Sequence, residues 1–387
     1  MVKKILLAAA MLAMAVLLIL FPKEGLAAAT DGLNLWIGAV VPALLPFMAA
    51  SHILLEIGVV RLLSALLQPV TRVLFGAPGH SAFVMLASCM SGYPVGAALT
   101  SELYAKNKLT EAQAAHIVRF TSVSGPVFMT GAVAAGMLSL PEAGIYLALT
   151  HYLAAVLTGV FLGLFGRRSR MPKQQKTSLR GAVQAFKKEA AASAPLGDIL
   201  SGSIEKSVLT LLKVGGFIVL FSVITQLLFS SGIMDAAAWL YSPLSRISSL
   251  SSKATDALLQ GGIEMTAGCS AVSSLNEAVS IKLPLIAAII GFGGLSVHMQ
   301  THAVCQKSGL RVMRFWLAKS LQAVLSFGLC ALALRLFPLT VAASGIGQNT
   351  GEIKTTALFG AAFALVALAI LIIVKRRKLP LASARKL

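Results

Sequence analysis

Two apolar segments of the chain carry polar residues and glycines in their middles, which is where a membrane protein could bind a solute. The residues of interest are Ser91, Gly92, Tyr93 and Gly96 in SGYPVGAAL (91–99), and Gly262, Glu264 and Thr266 in GGIEMTAG (261–268). An acidic residue at the centre of a membrane helix costs about 2.5 to 3.5 kcal/mol and usually marks a pathway or a coupling site. Glu264 is therefore predicted to contact a ligand or to carry a coupling proton. The alternative is a shallow segment in which Glu264 is hydrated.

Two longer apolar runs are interrupted in a similar way, at 121–128 (TSVSGPVF) and 290–297 (IGFGGLSV). The candidate binding residues there are Ser122, Ser124, Gly293, Gly294, Ser296 and, just beyond the second interruption, His298. Non-helical backbone is not tolerated in contact with lipid, so these interruptions must face one another or a wet cavity. A half-helix that begins near Pro94 would direct its N–H groups towards a bound carboxylate. The alternative is a close helix crossing that needs small residues.

Basic residues and histidines near these interruptions have open roles. Arg119 either binds an anionic substrate through two hydrogen bonds or extends its side chain to the membrane surface. Lys213 and Lys319 are predicted to reach the surface. His298 and His302 have the i, i+4 spacing of a metal site but lack an acidic partner at a useful spacing. A hydrogen-bonding or pH-sensitive role for His298 is therefore favoured over metal binding.

Composition places the chain among multi-pass membrane proteins. Of its 387 residues 57% are hydrophobic and 12% are charged, and the mean hydropathy is +0.84. The net charge of +19 lies in clusters between apolar runs, such as RRSR (167–170) and KRRK (375–378). That distribution is typical of the cytoplasmic flanks of membrane helices, and it argues against a nucleic-acid partner.

The motifs of common enzymes are missing from the sequence. We find no nucleophile elbow, phosphate-binding loop or paired carboxylates, and the four cysteines have no metal or disulfide spacing. We therefore expect a protein that is not an enzyme and has no cofactor or metal, although a coupling proton or sodium ion is left open. Its expected partners are a small solute and the lipid bilayer, and the sequence indicates no oligomeric state.

The apolar runs predict about eight membrane crossings. They lie at about 5–22, 34–56, 113–138, 142–165, 207–230, 283–305, 313–337 and 356–374, and the interrupted segments at about 81–104 and 254–278 are interpreted as re-entrant hairpins. This count puts both basic clusters, and both chain termini, in the cytoplasm. The first run is interpreted as a retained helix, although Ala27-Ala28-Ala29 resembles a signal-peptide cleavage site.

The two halves of the chain resemble each other. ILLEIGVVRLLSALLQPVTRVL (53–74) aligns with QLLFSSGIMDAAAWLYSPLSRI (226–247), and at an offset of 174 Gly58 meets Gly232. The segments 91–97 and 261–267 then align at an offset of 170. Each copy contains three crossings, an odd number, so the second copy must be inverted in the membrane. Inverted repeats with interruptions at matching positions are typical of secondary transporters.

We therefore predict an all-α polytopic membrane protein built from two inverted-topology repeats. Each repeat has an interfacial helix, a re-entrant hairpin and a broken transmembrane helix. The predicted division is an N-terminal transmembrane or signal-anchor helix (1–30), gate repeat 1 (31–166), a basic cytoplasmic loop (167–200), gate repeat 2 (201–340), and a C-terminal helix with a basic tail (341–387).

At these motifs the chain resembles the nucleoside-recognition or gate-domain proteins, and among them the YlbJ (SpoVV) family of sporulation integral membrane proteins. The resemblance spans about residues 30–340, and its most specific parts are FGAPGHSAFVMLASCMSGYPVGAALTSEL (75–103), TSVSGPVF and GGIEMTAG. The gate domain is thought to be related to concentrative nucleoside carriers, which share this layout of hairpins and broken helices.

The resemblance implies transport of dipicolinic acid out of the mother cell across the outer forespore membrane, by alternating access around the two hairpins. Under that hypothesis the hairpin tips bind the two carboxylates of dipicolinate, Arg119 adds positive charge and Tyr93 stacks on the pyridine ring. Glu264 would repel the dianion unless it is protonated, contacts the pyridine or couples proton movement. The alternatives are a transporter of nucleosides or related metabolites, and a non-transporting scaffold or signalling protein of spore maturation.

Overall fold

The computed structural model describes residues 2–165, 179–236 and 251–339. Within these ranges every regular element is a helix. The helices are α1 (Val2–Leu20), α2 (Pro22–Leu35), the π-helical turn π1 (Trp36–Val40), α3 (Val41–Glu56), α4 (Val59–Leu74), α5 (His80–Ser91), α6 (Val95–Ala105), α7 (Glu111–Thr121), the π-helix π2 (Phe128–Met137), α8 (Ala143–Phe165), α9 (Leu179–Ala191), α10 (Leu196–Ser230), α11 (Ile233–Ala236), α12 (Ser252–Ile263), α13 (Met265–Ser273), α14 (Val279–Phe292), α15 (Gly294–Gln306) and α16 (Phe315–Leu336).

Four helical stretches in the described parts of the chain are long and apolar enough to cross a membrane. They are Ala143–Leu164, Leu196–Ser230, Val279–Gln306 and Phe315–Leu336, and they coincide with four of the eight predicted crossings. The predicted crossing at 113–138 consists of two shorter helices, α7 and π2, separated by a non-helical stretch. The predicted C-terminal crossing at 356–374 and the start of the basic loop lie outside the described residues.

The chain bends sharply between its first two helices. The bend is 108°, and the two helices together have the apolar length of a fifth span. Phe21 lies at the bend with φ −125° and ψ 58°. The cause is Pro22, because proline disfavours helical backbone at the residue before it and is well accepted at the start of a new helix. The residues between the first two predicted crossings are therefore helical.

The segment from α2 to α3 packs along the long helix α10. A Cβ atom on Gly32 would come within 3.2 Å of the Val219 Cα, and one on Gly215 would meet the Trp36 ring. The Trp36 indole N–H donates a hydrogen bond of 3.0 Å to the Leu211 carbonyl. Small residues on both sides let the two helices approach closely, which is how helices associate in a membrane.

The buried apolar side chains form two main clusters. The first joins α3, α4, α5, α6 and α7, and the second joins π2, α8 and α12 to α16. Tyr93 lies between α5 and α6, yet its ring belongs to the second cluster. The side chain therefore crosses from the first half of the molecule into the second, and it places the end of the first hairpin against the second set of helices.

Two helical hairpins have their turns at the two motifs singled out in the sequence. Helices α5 and α6 meet at residues 92–94, and α12 and α13 meet at Glu264. A further correspondence links the two halves, because Gly58 after α3 and Gly232 after α10 both have positive φ, +89° and +71°. These are the glycines that align at an offset of 174. The rest of that alignment, from 237 onwards in the second copy, lies outside the described residues.

Candidate functional site

Both hairpin turns and both broken helices line one cavity of about 90 Å³. Its polar and backbone-exposing lining residues are Ser91, Gly92, Tyr93, Ser124, Gly125, Pro126, Glu264, Thr266 and Gln300. Apolar side chains from α10, including Val214 and Ile218, complete the wall. Segments that are about 170 residues apart in the sequence therefore meet at one site, as the paired interruptions predicted.

The first turn packs backbone against backbone on the first broken helix. Gly92 has φ +94°, and a Cβ atom there would lie 2.5 Å from the Gly125 nitrogen. Only glycine combines this backbone conformation with such a close approach. Ser91, one residue earlier, is 2% exposed, and its hydroxyl has no hydrogen-bond partner among the described residues. The turn thus places a buried hydroxyl, unpaired among the described residues, next to the cavity.

A proline causes the break in the first broken helix. In a continuous helix the Ser122 carbonyl would accept a hydrogen bond from the N–H of residue 126, but Pro126 has no N–H. The chain is non-helical from 122 to 125, between α7 and the helix that leads into π2. The break therefore leaves backbone groups that must find partners elsewhere.

Side chains of α8 hold this break open. The Ser124 N–H donates to His151 Nε2 at 2.9 Å, so that nitrogen carries no proton. The Tyr152 hydroxyl donates to the carbonyl oxygens of Ser124 at 3.2 Å and Cys89 at 2.8 Å. Tyr152 thus ties the broken helix to the end of α5, and the non-helical stretch has a fixed conformation.

Lys319 of α16 binds the carbonyl that the proline leaves free. Its ammonium donates hydrogen bonds to the Ser122 carbonyl at 2.9 Å, the Tyr93 hydroxyl at 2.6 Å and Gln322 Oε1 at 2.7 Å. The side chain is 0% exposed. The prediction that Lys319 reaches the membrane surface is wrong, because three acceptors draw the ammonium inward.

The Tyr93 hydroxyl connects the two broken helices. It accepts from Lys319 and donates at 3.1 Å to the carbonyl of Ile290 in the last turn of α14. That carbonyl is free because α14 ends at Phe292 and Gly293 takes a positive φ of +86°. A hydrogen-bonded chain therefore runs from the first break, through Lys319 and Tyr93, to the second break.

Glu264 forms the second hairpin turn and caps its second helix. The carboxylate accepts a hydrogen bond of 2.7 Å from the Ala267 N–H, at the N-terminus of α13, and also bonds Thr266. An acidic side chain at a helix N-terminus satisfies free N–H groups and complements the helix dipole. Glu264 is 4% exposed, and among the described residues that line the cavity it is the only one with a carboxylate or a basic side chain. Its carboxylate occupies the place that an anion would take on this helix.

The second broken helix packs against the second hairpin. A Cβ atom on Gly294 would lie 3.0 Å from both the Gly261 carbonyl and the Met265 nitrogen. On the next turn of α15 the Gln300 side-chain amide donates to the Ser296 hydroxyl at 3.1 Å, and Gln300 itself lines the cavity. Gly293 lies beside Tyr93, with 3.6 Å between its Cβ position and the tyrosine ring. Gly293, Gly294 and Ser296 thus contact residues of the cavity wall without lining the cavity themselves.

The remaining predicted site residues lie outside the cavity wall. The Arg119 guanidinium donates two hydrogen bonds to the Met313 carbonyl, at 3.2 and 2.7 Å. His298 pairs its Nε2 with the Phe292 carbonyl at 3.1 Å and packs on the Phe292 and Phe315 rings. Gly96 is buried against Ser88 and the first broken helix, and a Cβ atom on Gly262 would meet no described atom within 4 Å. No cluster of three metal-ligating side chains occurs in the described residues.

Charged residues form a separate cluster at the far end of the first hairpin. Glu102 of α6 pairs with Lys106, Lys206 and His52, and Glu56 at the end of α3 pairs with the same two lysines at 3.0 and 2.8 Å. Lys206 belongs to α10. The ion pairs of this cluster therefore link the C-terminal end of α6, away from the cavity, to α3 and α10.

Sequence reasoning did not identify Lys319, His151 and Tyr152 as parts of this site. One signal for Lys319 was present. In the apolar run of α16, Lys319, Gln322 and Ser326 follow the i, i+3, i+7 spacing of one helix face, and all three are 0% exposed. A buried polar stripe in a membrane helix indicates contacts with polar groups of other helices.

The fold and the site together define a class of protein. The chain is a multi-pass integral membrane protein, since four of its described helical stretches are long and apolar enough to cross a membrane. It has a gate domain, because the family model "Gate: Nucleoside recognition" matches residues 38–141, which run from π1 through the first hairpin and the first broken helix. A curated relative gives the family. Sporulation integral membrane protein YlbJ of Bacillus subtilis (strain 168) is 34% identical over 309 residues, which cover 78% of this chain and 76% of the relative. The chain belongs to the YlbJ family of sporulation integral membrane proteins. No solved structure matches it.

Proposed function

We propose that this protein is a secondary transporter, not an enzyme, and that it moves dipicolinate across the outer forespore membrane during sporulation. One observation carries the proposal: both hairpin turns and both broken helices converge on a single cavity. Discontinuous helices that meet at a shared cavity are the usual way in which secondary transporters build a substrate site. The sporulation role rests on the name of the B. subtilis relative.

The chemistry of the cavity suits a flat aromatic acid. Tyr93 offers an aromatic ring, and Ser91 offers a buried hydroxyl that has no partner among the described residues. Helix α6 starts beside the cavity at Pro94 without a side-chain cap, whereas α13 is capped by Glu264. The dipole of α6, whose N-terminus follows the turn at 92–94, attracts a carboxylate of the substrate to the first hairpin. The Lys319 ammonium, directly behind Tyr93, adds positive charge.

The size of the cavity implies movement during transport. Pockets for drug-sized ligands measure about 300 to 1,000 Å³, and this cavity of about 90 Å³ is smaller. We propose that the structure represents a contracted state and that the hairpin tips separate to admit the substrate. The proposed topology is two inverted repeats with re-entrant hairpins and cytoplasmic termini. The positive φ of both Gly58 and Gly232 supports that repeat.

A second candidate function is transport of nucleosides or related metabolites. The description of the matching family model, "Nucleoside recognition", favours it. Glu264 also favours it, because a carboxylate in the wall repels a dianion but can accept hydrogen bonds from a neutral ligand.

Uptake by the purified protein in liposomes tests both candidates. We expect uptake of radiolabelled dipicolinate above that of protein-free liposomes, with no uptake of uridine. Uridine uptake without dipicolinate uptake would support the second candidate instead. Uptake of neither solute would favour a scaffold or signalling role.

A pair of serine variants ties the uptake to the cavity. Ser91→Leu fills the cavity wall and should abolish uptake. Ser274→Leu, on an exposed residue after α13, should leave uptake unchanged. Normal uptake by a folded Ser91→Leu protein would contradict the assignment of the cavity as the substrate site.

A further inference from the structure

Lys319 is a buried cation that has no anionic partner in the part of the chain that the structure describes. Its side chain is 0% exposed, and no carboxylate in the described ranges lies within ion-pair distance of it. Its contacts are the Tyr93 hydroxyl, the Ser122 carbonyl and Gln322 Oε1. A buried charge is costly, so a protein keeps one where its charge has a use.

The hydrogen-bond pattern fits a charged ammonium. A protonated lysine has three N–H donors and no acceptor. Lys319 is surrounded by three acceptors at 2.6 to 2.9 Å, and the Tyr93 hydroxyl must be one of them because it donates its own proton to the Ile290 carbonyl. Every donor of the ammonium is therefore paired with an oxygen acceptor.

The Lys319 ammonium lies at the kind of backbone site where transporters with discontinuous helices bind a coupling ion. Transporters with discontinuous helices bind Na⁺ or H⁺ at carbonyl oxygens that an unwound stretch leaves free. In this protein the free carbonyl is that of Ser122, released because Pro126 supplies no N–H, and the Lys319 ammonium is bound to it at 2.9 Å. The Tyr93 hydroxyl and Gln322 Oε1 complete a set of three oxygen ligands.

We propose that the Lys319 ammonium permanently occupies a cation site at the first helix break, so that the protein works without Na⁺. The fixed charge holds the first broken helix to Tyr93, and through Tyr93 to the second broken helix. The inference rests on the proposed transport function, and it specifies the ion requirement of that function.

Wild-type protein provides the first test. Initial rates of dipicolinate uptake into proteoliposomes are compared in Na⁺ buffer and in N-methyl-D-glucamine buffer. The melting temperature of the purified protein is measured in the same two buffers. We expect no change in either quantity. A rate or a melting temperature that falls when Na⁺ is removed would overturn the proposal.

Lysine variants provide the second test. Lys319→Ala should lose uptake in both buffers, and its melting temperature should rise in Na⁺, because the vacated oxygens can then bind the ion. Lys213→Ala, at a partly exposed lysine in the apolar part of α10, is the matched control and should behave as wild type. Wild-type uptake by Lys319→Ala, or equal melting temperatures of this variant in both buffers, would contradict the assignment of these oxygens as a cation site.

The two tests separate this inference from the proposed function. If wild type takes up no dipicolinate in either buffer, the proposed function fails. The melting temperatures of wild type and Lys319→Ala still report on the cation site in that case. If Lys319→Ala does not fold, the Na⁺ independence of wild type decides alone.

Discussion

At the scale of single residues, the site depends on side chains that satisfy backbone groups released by helix breaks. The Tyr93 hydroxyl donates a hydrogen bond to the Ile290 carbonyl, and the Lys319 ammonium donates one to the Ser122 carbonyl. The Glu264 carboxylate accepts one from the Ala267 N–H. Buried backbone groups in lipid cannot be left unpaired, so each break needs such a partner. These residues therefore have a structural role in addition to any contact with substrate.

Removing the Tyr93 hydroxyl should destabilise the fold while leaving the cavity open. In Tyr93→Phe the Ile290 carbonyl and one N–H of Lys319 lose their partner, at a cost of about 1 to 3 kcal/mol for each buried polar group. The measurement is the melting temperature of the purified variant. Tyr104→Phe is the control, because the Tyr104 ring packs against the first cluster of buried apolar side chains, and it should cause a smaller shift in the melting temperature. Equal shifts for the two variants would show that the link between the breaks adds no stability.

Neutralising Glu264 should strengthen dipicolinate binding. Glu264→Gln keeps an oxygen for the Ala267 N–H, and it removes a negative charge from the cavity wall. Two like charges 4 Å apart repel by about 1 kcal/mol in water and about 4 kcal/mol at a dielectric constant of 20. We therefore expect a lower dissociation constant in isothermal titration calorimetry. Weaker binding by a folded Glu264→Gln protein would mean that the carboxylate attracts the ligand.

At the scale of elements, the two hairpins use glycine differently. Gly92 has a positive φ and touches Gly125, whereas Gly262 lies in the last turn of α12 with open space at its Cβ position. The sequence pairs these two glycines at an offset of 170. The second hairpin turns at Glu264, two residues further along, and its close packing involves Gly261 and Gly268 instead.

Alanine at these two glycines should therefore have unequal effects on stability. Gly92→Ala combines a strained backbone with an overpacked contact, each costing about 1 to 3 kcal/mol. Gly262→Ala should leave the melting temperature unchanged or raise it slightly, because alanine favours helix over glycine. Thermal unfolding of the two purified variants checks the difference. A stable Gly92→Ala protein would contradict the close contact between the first turn and the first broken helix.

At the scale of the whole molecule, the sequence predicts the helix breaks but not the side chains that stabilise them. Glycine and proline act locally, so the breaks at Gly92, Pro126 and Gly293 could be predicted from a few neighbouring residues. The partners lie far away: the Lys319 and Ser122 contact joins residues 197 positions apart. Local patterns carry no information about such contacts. The sequence therefore indicated a polar stripe on α16 without indicating what it binds.

The helical stretch of α2 could not be predicted from hydropathy for a similar reason. Residues 22–35 are only weakly apolar, and packing against α10, through Gly32, stabilises them as a helix. Tertiary packing commonly overrides weak local preference. The predicted inverted arrangement of the two halves remains a prediction. Two observations support it. Both hairpin turns line one cavity, and the aligned glycines Gly58 and Gly232 both have a positive φ.

The most direct test of the central claim is whether dipicolinate occupies the cavity between the hairpin tips. In a background with Cys89, Cys269, Cys305 and Cys330 replaced by alanine, Ser91→Cys introduces a thiol in the cavity wall. The rate of its labelling by a small maleimide is measured with and without dipicolinate, and Lys253→Cys, on an exposed residue, is the control. We predict that dipicolinate slows labelling at the Ser91 position alone. An unchanged rate at saturating dipicolinate would contradict a binding site between the two tips.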